Sequence, residues 1–187
     1  DDCGARLLFA DQERIDRLEP FWENTNIEVV AVRSTRLLNG MTTIKDILAA
    51  QPEWSMPDQA PGPDDRAMIM YTSGSTGDPK GAISSHRNVL SALFSWALQA
   101  QIRSFMEHGE TPPTPPTQTH QPATLLAVPL FHATGCLAIM LQSYRAQRKM
   151  VCMYKWDPTE AARLIESEQV NGFNGPATMS GDLVEAA

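Results

Sequence analysis

Apolar and polar positions along this chain follow two periods in turn. Short runs rich in β-branched and other apolar residues predict strands. Between them, apolar residues recur three and four positions apart, which predicts amphipathic helices. Residues 5–10 (Ala-Arg-Leu-Leu-Phe-Ala) form the first run. Asp11 then stands as an N-cap before a helix over 12–18, where Ile15 and Leu18 fall three apart and Pro20 closes the segment. Residues 27–32 (Ile-Glu-Val-Val-Ala-Val) predict the next strand. A helix over 42–50 follows, with Ile44, Ile47 and Leu48 on one face and Thr43 and Asp46 spaced as a capping box. This βαβα order over residues 1–50 predicts parallel strands with helices packed on the sheet.

Residues 51–66 break the pattern with Pro52, Pro57, Pro61, Gly62 and Pro63, and read as a linker; Asp64 and Asp65 at its end are consistent with a solvated turn and are assigned no role. The apolar run Met68-Ile-Met-Tyr71 predicts a buried strand, and residues 81–84 a short returning one. A long helix over 86–103 carries Val89, Leu90, Leu93, Phe94 and Leu98 as an apolar stripe, with Trp96 off it. Residues 104–122 read as an exposed loop, since 111–122 hold five prolines, four threonines and no charged side chain. Beyond it the alternation resumes. A strand enters at 125, a helix spans 133–144 with Cys136, Ile139, Met140 and Ser143 on one side, and residues 149–154 form a strand. Asp157-Pro158-Thr159-Glu160 is a helix start with an Asp cap and Pro at the first position; Ala161, Leu164 and Ile165 supply its buried stripe. A strand over 170–174 turns through Gly175-Pro176 into a last helix over 177–186. The expected class is α/β, a mostly parallel sheet flanked by helices.

Composition narrows the partners. At 42% apolar, 187 residues suffice for one domain with a core. The net charge of −7, with no basic run, disfavours nucleic acid. Cys3, Cys136 and Cys152 are odd in number and lack a Cys-x-x-Cys pair, which argues against a disulfide framework or zinc site and fits a reducing cytoplasm. No apolar run approaches a membrane span, which leaves only peripheral membrane contact open. The start, Asp1-Asp2-Cys3-Gly4, has neither the form of a signal peptide nor an initiator Met, and the chain reads as an internal piece of a longer one.

Candidate chemistry begins at residues 71–81, Tyr-Thr-Ser-Gly-Ser-Thr-Gly-Asp-Pro-Lys-Gly. Glycines let an anion approach backbone N–H groups, successive N–H groups in such a turn form an anion-binding concavity, and Lys80 adds a point charge suited to a polyphosphate. The reading is a phosphate cradle of Thr72, Ser73, Gly74, Ser75, Thr76, Gly77 and Lys80; a flexible Ser/Gly surface turn is the plainer alternative. A Walker A loop is excluded on spacing. Counting from Gly74 puts Pro79 where its second glycine belongs, and Gly81 follows Lys80 where Ser or Thr is required.

A second landmark is residues 125–135, Leu-Leu-Ala-Val-Pro-Leu-Phe-His-Ala-Thr-Gly. The strand delivers Phe131 and His132 to its carboxyl end, where ligand sites gather in open α/β sheets. Taken alone, His132 reads equally as a satisfied structural histidine.

Residues 71–81 resemble the nucleotide-binding signature of the adenylate-forming enzymes, a superfamily of acyl-CoA synthetases, luciferases, aryl-CoA ligases and peptide-synthetase adenylation domains. The stretch Pro129-Leu-Phe-His-Ala-Thr-Gly135 resembles the acyl-CoA synthetase form of the family's substrate motif. Peptide-synthetase domains usually carry Asp after the aromatic to pair with an α-ammonium group; His132 here implies a carboxylic acid without one. The resemblance implies that residues Thr72 to Gly77 with Lys80 hold ATP phosphates, that His132 orients the substrate carboxylate and adenylate, and that Phe131 walls the acyl or adenine side. Residues 174–178, Asn-Gly-Pro-Ala-Thr, are similar to the turn bordering the acyl pocket, so Gly175 and Pro176 are implied as substrate residues; the stretch departs from the family at Ala177 and at Asn171, where Thr is common.

The implied parent reaction has two steps: a carboxylate attacks the α-phosphorus of ATP to give acyl-adenylate and pyrophosphate, then the thiol of CoA displaces AMP. The family's adenine-contacting segment with its magnesium-linked glutamate, its ribose aspartate and its C-terminal lysine fall outside this sequence, so no metal ligand is expected within it. The resemblance thus implies a partial N-terminal domain, inactive alone, of an acyl-CoA synthetase acting on a fatty acid with ATP, Mg2+ and CoA. Its alternatives are an aryl-CoA ligase or luciferase-like enzyme, or a non-catalytic nucleotide-binding module.

Overall fold

The structure, a computed structural model, describes residues 2–50, 55–73, 77–109 and 120–186. It forms two compact units, Asp1–Ala60 and Pro61–Ala187. In the first, β1 (Leu7–Ala10), β2 (Glu28–Ala31) and β3 (Thr42–Thr43) pair in parallel in that order. Asp11 caps α1 (Gln12–Leu18), its carboxylate accepting the Arg14 N–H, as the sequence predicts. Pro20 does not end the helical path, which tightens into a 3-10 helix over Glu19–Asn24. The core gathers Ala10, Ile15, Val29 and Ala31, with Leu18, Trp22 and Met41 packed against it. The Gln12 side-chain carbonyl accepts from both Thr35 and Arg36 N–H, and Arg36 pairs with Asp16 and Glu19, so the β2–β3 connection is latched to α1. The second helix, α2 (Ile44–Ala50), starts two residues later than expected because Thr42 and Thr43 pair with β2. Thr43 accepts the Asp46 N–H, and its hydroxyl donates to the Asp46 carboxylate, a local variant of the capping box. The first four residues of the expected linker, 51–54, lie outside the described residues, as does the proline-threonine stretch over 110–119.

In the second unit, β4 (Arg66–Thr72) and β5 (Lys80–Ser85) form a two-stranded antiparallel hairpin. The expectation of a buried strand at 68–71 is corrected: Ile69 and Tyr71 are 39% and 42% exposed. Met68 and Met70, which alternate with them on the other face, are half-buried, so only one face of the ribbon is covered. Ser85 and Asn88 make the capping box that starts α3 (His86–His108), which runs past the expected end at 103 and stops at Gly109, where φ is +71°. Residues 104–108 are therefore helix, not loop. On α3 only Val89 and Leu93 are buried, whereas Leu90, Phe94 and Leu98 are exposed, a second correction to the predicted stripe.

Strands β7 (Lys149–Cys152), β6 (Ala123–Leu126) and β8 (Gly172–Phe173) form a parallel sheet with β6 at its centre, all four β6 residues buried. Only two residues of the strand expected over 170–174 pair. Asn171 takes over at the other end, where its N–H donates to the Ala123 carbonyl and its side-chain oxygen accepts the Ala123 N–H. The helix expected over 133–144 is a π-helix, Thr134–Leu141, continued by α4 (Gln142–Arg145). Helix α5 (Pro158–Ser167) begins as predicted, with the Asp157 carboxylate accepting the Glu160 N–H. Helix α6 (Ala177–Ala186) is tied down by Trp156, whose ring stacks on Phe173 and whose N–H donates to Asp182.

Two contacts hold the segments that carry the motifs. A Cβ on Gly135 would lie 2.4 Å from the Pro129 carbonyl oxygen and 2.6 Å from that of Val128, so the π-helix can follow β6 only through glycine. At the hairpin foot, Arg87 donates two hydrogen bonds to Asp64 (2.7 and 2.9 Å), the Arg87 N–H donates to the Pro63 carbonyl, and Asp65 accepts the Gly62 N–H. The paired acids are thus a clasp, not a free turn.

Because backbone, not a side chain, blocks the space beside Gly135, Gly135→Ala is expected to cost about 1–3 kcal/mol, read as a lowered midpoint in urea unfolding. The Arg87 hydrogen bonds hold the Asp64 carboxyl below the usual carboxylate range. A depressed folded pKa gives stability that is present at higher pH and lost as pH falls through that lowered value. Asp64→Asn should therefore lower the melting temperature slightly at neutral pH, by less in high salt, and not at all once Asp64 is protonated.

Candidate functional site

The glycine turn joins the two strands of the hairpin, whose last register pair is Thr72 opposite Lys80. The Thr72 hydroxyl donates to the Lys80 carbonyl at 3.5 Å. Of the predicted cradle, Thr72, Ser73, Gly77 and Lys80 are described; Gly74, Ser75 and Thr76 lie outside the described residues. Gly77 has φ +97° with open space where a side chain would stand, a backbone that glycine adopts without strain. Tyr71 faces Gly81 across the ladder, and a Cβ at Gly81 would meet Ile69 at 2.8 Å and the Tyr71 ring at 3.3 Å. Glycine thus lets the Tyr71 ring lie over the opposite strand. Lys80 is exposed and makes no ion pair among the described residues, so its charge faces solvent at the start of β5.

The second segment leaves the carboxyl end of β6 through buried Val128. The His132 N–H donates to the Pro129 carbonyl and the Cys136 N–H to the His132 carbonyl, so the backbone around His132 is spent on its own turn while the ring remains exposed. The Phe131 and His132 rings touch, with centroids 4.5 Å apart and planes at 53°, and Phe131 is 69% exposed. Burial pushes the neighbouring Cys136 thiol up, away from thiolate character. At the last turn, a Cβ on Gly175 would meet the Phe173 ring at 2.8 Å, and the Pro176 carbonyl accepts the Ser180 N–H. Phe131 and His132 are thus adjacent, while Lys80, Gly175 and Pro176 each sit on other elements of the same unit.

Three supports went unassigned in the sequence: the Asp64–Arg87 clasp, the Asn171 bonds to Ala123, and the Trp156 anchor on α6. Two adjacent acids before a strand and an asparagine after a helix carry no periodicity, and each found its partner far away in sequence. Among the described residues no group of three His, Cys, Asp or Glu side chains could hold a metal ion, and no helix is long and apolar enough to cross a membrane.

The AMP-binding enzyme family matches residues 1–187. The long-chain-fatty-acid–CoA ligase FadD13 of Mycobacterium tuberculosis is 32% identical over 109 residues, 58% of this chain and 18% of that protein. A feruloyl-CoA synthase of Amycolatopsis is 28% identical over 178 residues, 95% of this chain and 30% of that protein. The chain therefore spans less than a third of the length of these relatives. Among solved structures, a putative long-chain-fatty-acid CoA ligase of Rhodopseudomonas palustris superposes with TM-score 0.73 at 26% identity, covering 97% of this chain and 41% of that one. ATP-bound MatB of the same organism shares the fold, with TM-score 0.68 at 23% identity over 96% of this chain and 31% of its own. On the match along all of its residues, this chain belongs to the AMP-binding enzyme family.

Proposed function

We propose that the protein is the nucleotide- and acid-binding part of an ATP-dependent acid–thiol ligase, with a fatty acid as its carboxylic acid. The observation that carries this reading is a family match along all 187 residues, together with an intact cradle motif on a hairpin whose Lys80 is unpaired among the described residues. Relatives named as ligases of fatty, coumaric and ferulic acids support the reaction class.

In this reading Thr72, Ser73, Gly74, Ser75, Thr76, Gly77 and Lys80 hold the β- and γ-phosphates of ATP through N–H groups, hydroxyls and one ammonium. The α-phosphorus is left open to in-line attack by a carboxylate oxygen. The bond to the bridging oxygen breaks, and pyrophosphate departs with its added charge facing Lys80. Preorganised donors aimed at developing charge are the main source of such acceleration. His132 donates a hydrogen bond that orients the carboxylate, Phe131 walls the acyl side, and Gly175 and Pro176 border the chain of the acid. The CoA thiol then attacks the acyl carbonyl and AMP leaves. Magnesium accompanies ATP, with a glutamate ligand supplied from outside these residues; the described residues gather no metal-binding group of their own.

Relatives acting on aromatic acids favour a second reading, an aryl-CoA ligase. Competition between fatty and aromatic acids, followed by pyrophosphate release in a longer polypeptide carrying these residues, separates the two. A dominant effect of aromatic acids would replace the first reading by the second.

Lys80→Ala in that polypeptide is expected to slow ATP–pyrophosphate exchange roughly a hundredfold, the effect of removing one transition-state donor; unchanged exchange would refute the cradle. Residues 1–187 alone should form no acyl-adenylate, measured as labelled AMP transferred to acid, and any turnover by them would contradict the assignment of further catalytic groups elsewhere.

A further inference from the structure

Strand β8 pairs with β6 through Gly172 and Phe173, so the turn over 174–176 begins where the ladder has ended. What this turn rests on is a ring. A Cβ built on Gly175 would stand 2.8 Å from Cζ of Phe173 and 3.4 Å from its Cε1, with the Met179 sulfur at 3.5 Å. Met179 in turn packs against Leu126, Val128 and Ile139, the core beneath the exit of β6.

A contact with the tip of a side chain holds only as well as that side chain is held. Trp156 stacks on the Phe173 ring, with centroids 5.7 Å apart and planes 10° from parallel. The indole is half-buried and is itself fixed, because its N–H donates to the Asp182 carboxylate at 3.0 Å. Its neighbour Asp157 caps α5, which anchors the backbone on that side. The β7–α5 connection, β8 and α6 thus meet at one stack of two rings, and the tip of that stack lies against Gly175.

We propose that Trp156 is a positioning residue that decides how bulky an acid the protein admits. It acts through Phe173 rather than on the acid itself: the indole fixes the ring, and the ring fixes Gly175 and Pro176. The inference rests on the ligase reading for the place of those two residues beside the acid, and adds to it a determinant that lies outside every motif of the chain. Leucine at 156 gives up the flat face, much of the volume and the N–H. The Phe173 ring then loses its backing, and a bulkier acid can displace the turn.

The test uses a longer, ligase-active polypeptide carrying these residues, with pyrophosphate release followed for a straight-chain fatty acid and a bulkier aromatic acid. Trp156→Leu is expected to raise the ratio of kcat/KM for the bulkier acid over the slimmer one roughly tenfold, the low end of what one apolar contact in a pocket decides. The change should lie in KM for the acids, with KM for ATP as before. Trp156→Phe keeps a ring on Phe173 and should restore most of the original ratio. In the 187-residue chain itself, the NMR resonance of the Gly175 amide should move in Trp156→Leu and return in Trp156→Phe. Asp182→Ala leaves both rings in place but frees the indole, so the ratio should shift in the same direction there. That variant keeps the proposal open to refutation if Trp156→Leu does not fold. An unchanged ratio with adenylation intact would overturn this inference and leave the ligase reading standing. So would KM values for ATP and acids that rise together, the mark of a merely structural role. A polypeptide that adenylates no acid would remove the ligase reading and this inference with it.

Discussion

The carbonyl oxygens of Val128 and Pro129 occupy the space beside Gly135 that any side chain would need. That exclusion decides how the chain leaves the central strand β6. With glycine there, the backbone folds back tightly enough for the His132 N–H to reach the Pro129 carbonyl and the Cys136 N–H to reach that of His132. The turn consumes its own polar backbone, so Phe131 and His132 are projected outward at the end of a fully buried strand. The π-helix then begins at once, and such wide turns recur at functional sites because they re-aim side chains that a regular helix would direct elsewhere.

The elements were legible where a local signal sufficed. Asp11 and Asp157 cap the helices that their positions announce, and Pro158 starts α5 where its missing N–H costs nothing. Exposure was not legible, because a run such as Met68-Ile-Met-Tyr71 reads the same inside a sheet and on a two-stranded ribbon. Nor could the sequence distinguish a π-helix from an α-helix over Thr134–Leu141, since every position from Cys136 to Leu141 is apolar and neither period shows. The motif residues of the candidate site were readable as a set. Their supports were not: Asp64 finds Arg87 and Asn171 finds Ala123 across 23 and 48 positions, and neither pairing leaves a periodic trace.

Support and chemistry are divided between kinds of residue. Lys80, exposed and without an ion pair among the described residues, directly precedes Gly81, where a Cβ would press on the Ile69 and Tyr71 side chains. The structural charges are engaged instead: Asp64 with Arg87, Lys149 with Glu168, Glu160 with Arg163.

Asn171 also has a bearing on chemical ageing. It precedes Gly172, the neighbour that most readily permits the next backbone nitrogen to cyclise onto an asparagine amide and release ammonia. Here the side-chain oxygen is held by the Ala123 N–H while Gly172 lies in the ladder opposite Thr124, an extended geometry that keeps nitrogen and amide carbon apart. The lifetime of this covalent link is therefore a property of the folded sheet, and each opening of β8 exposes it to slow, irreversible loss.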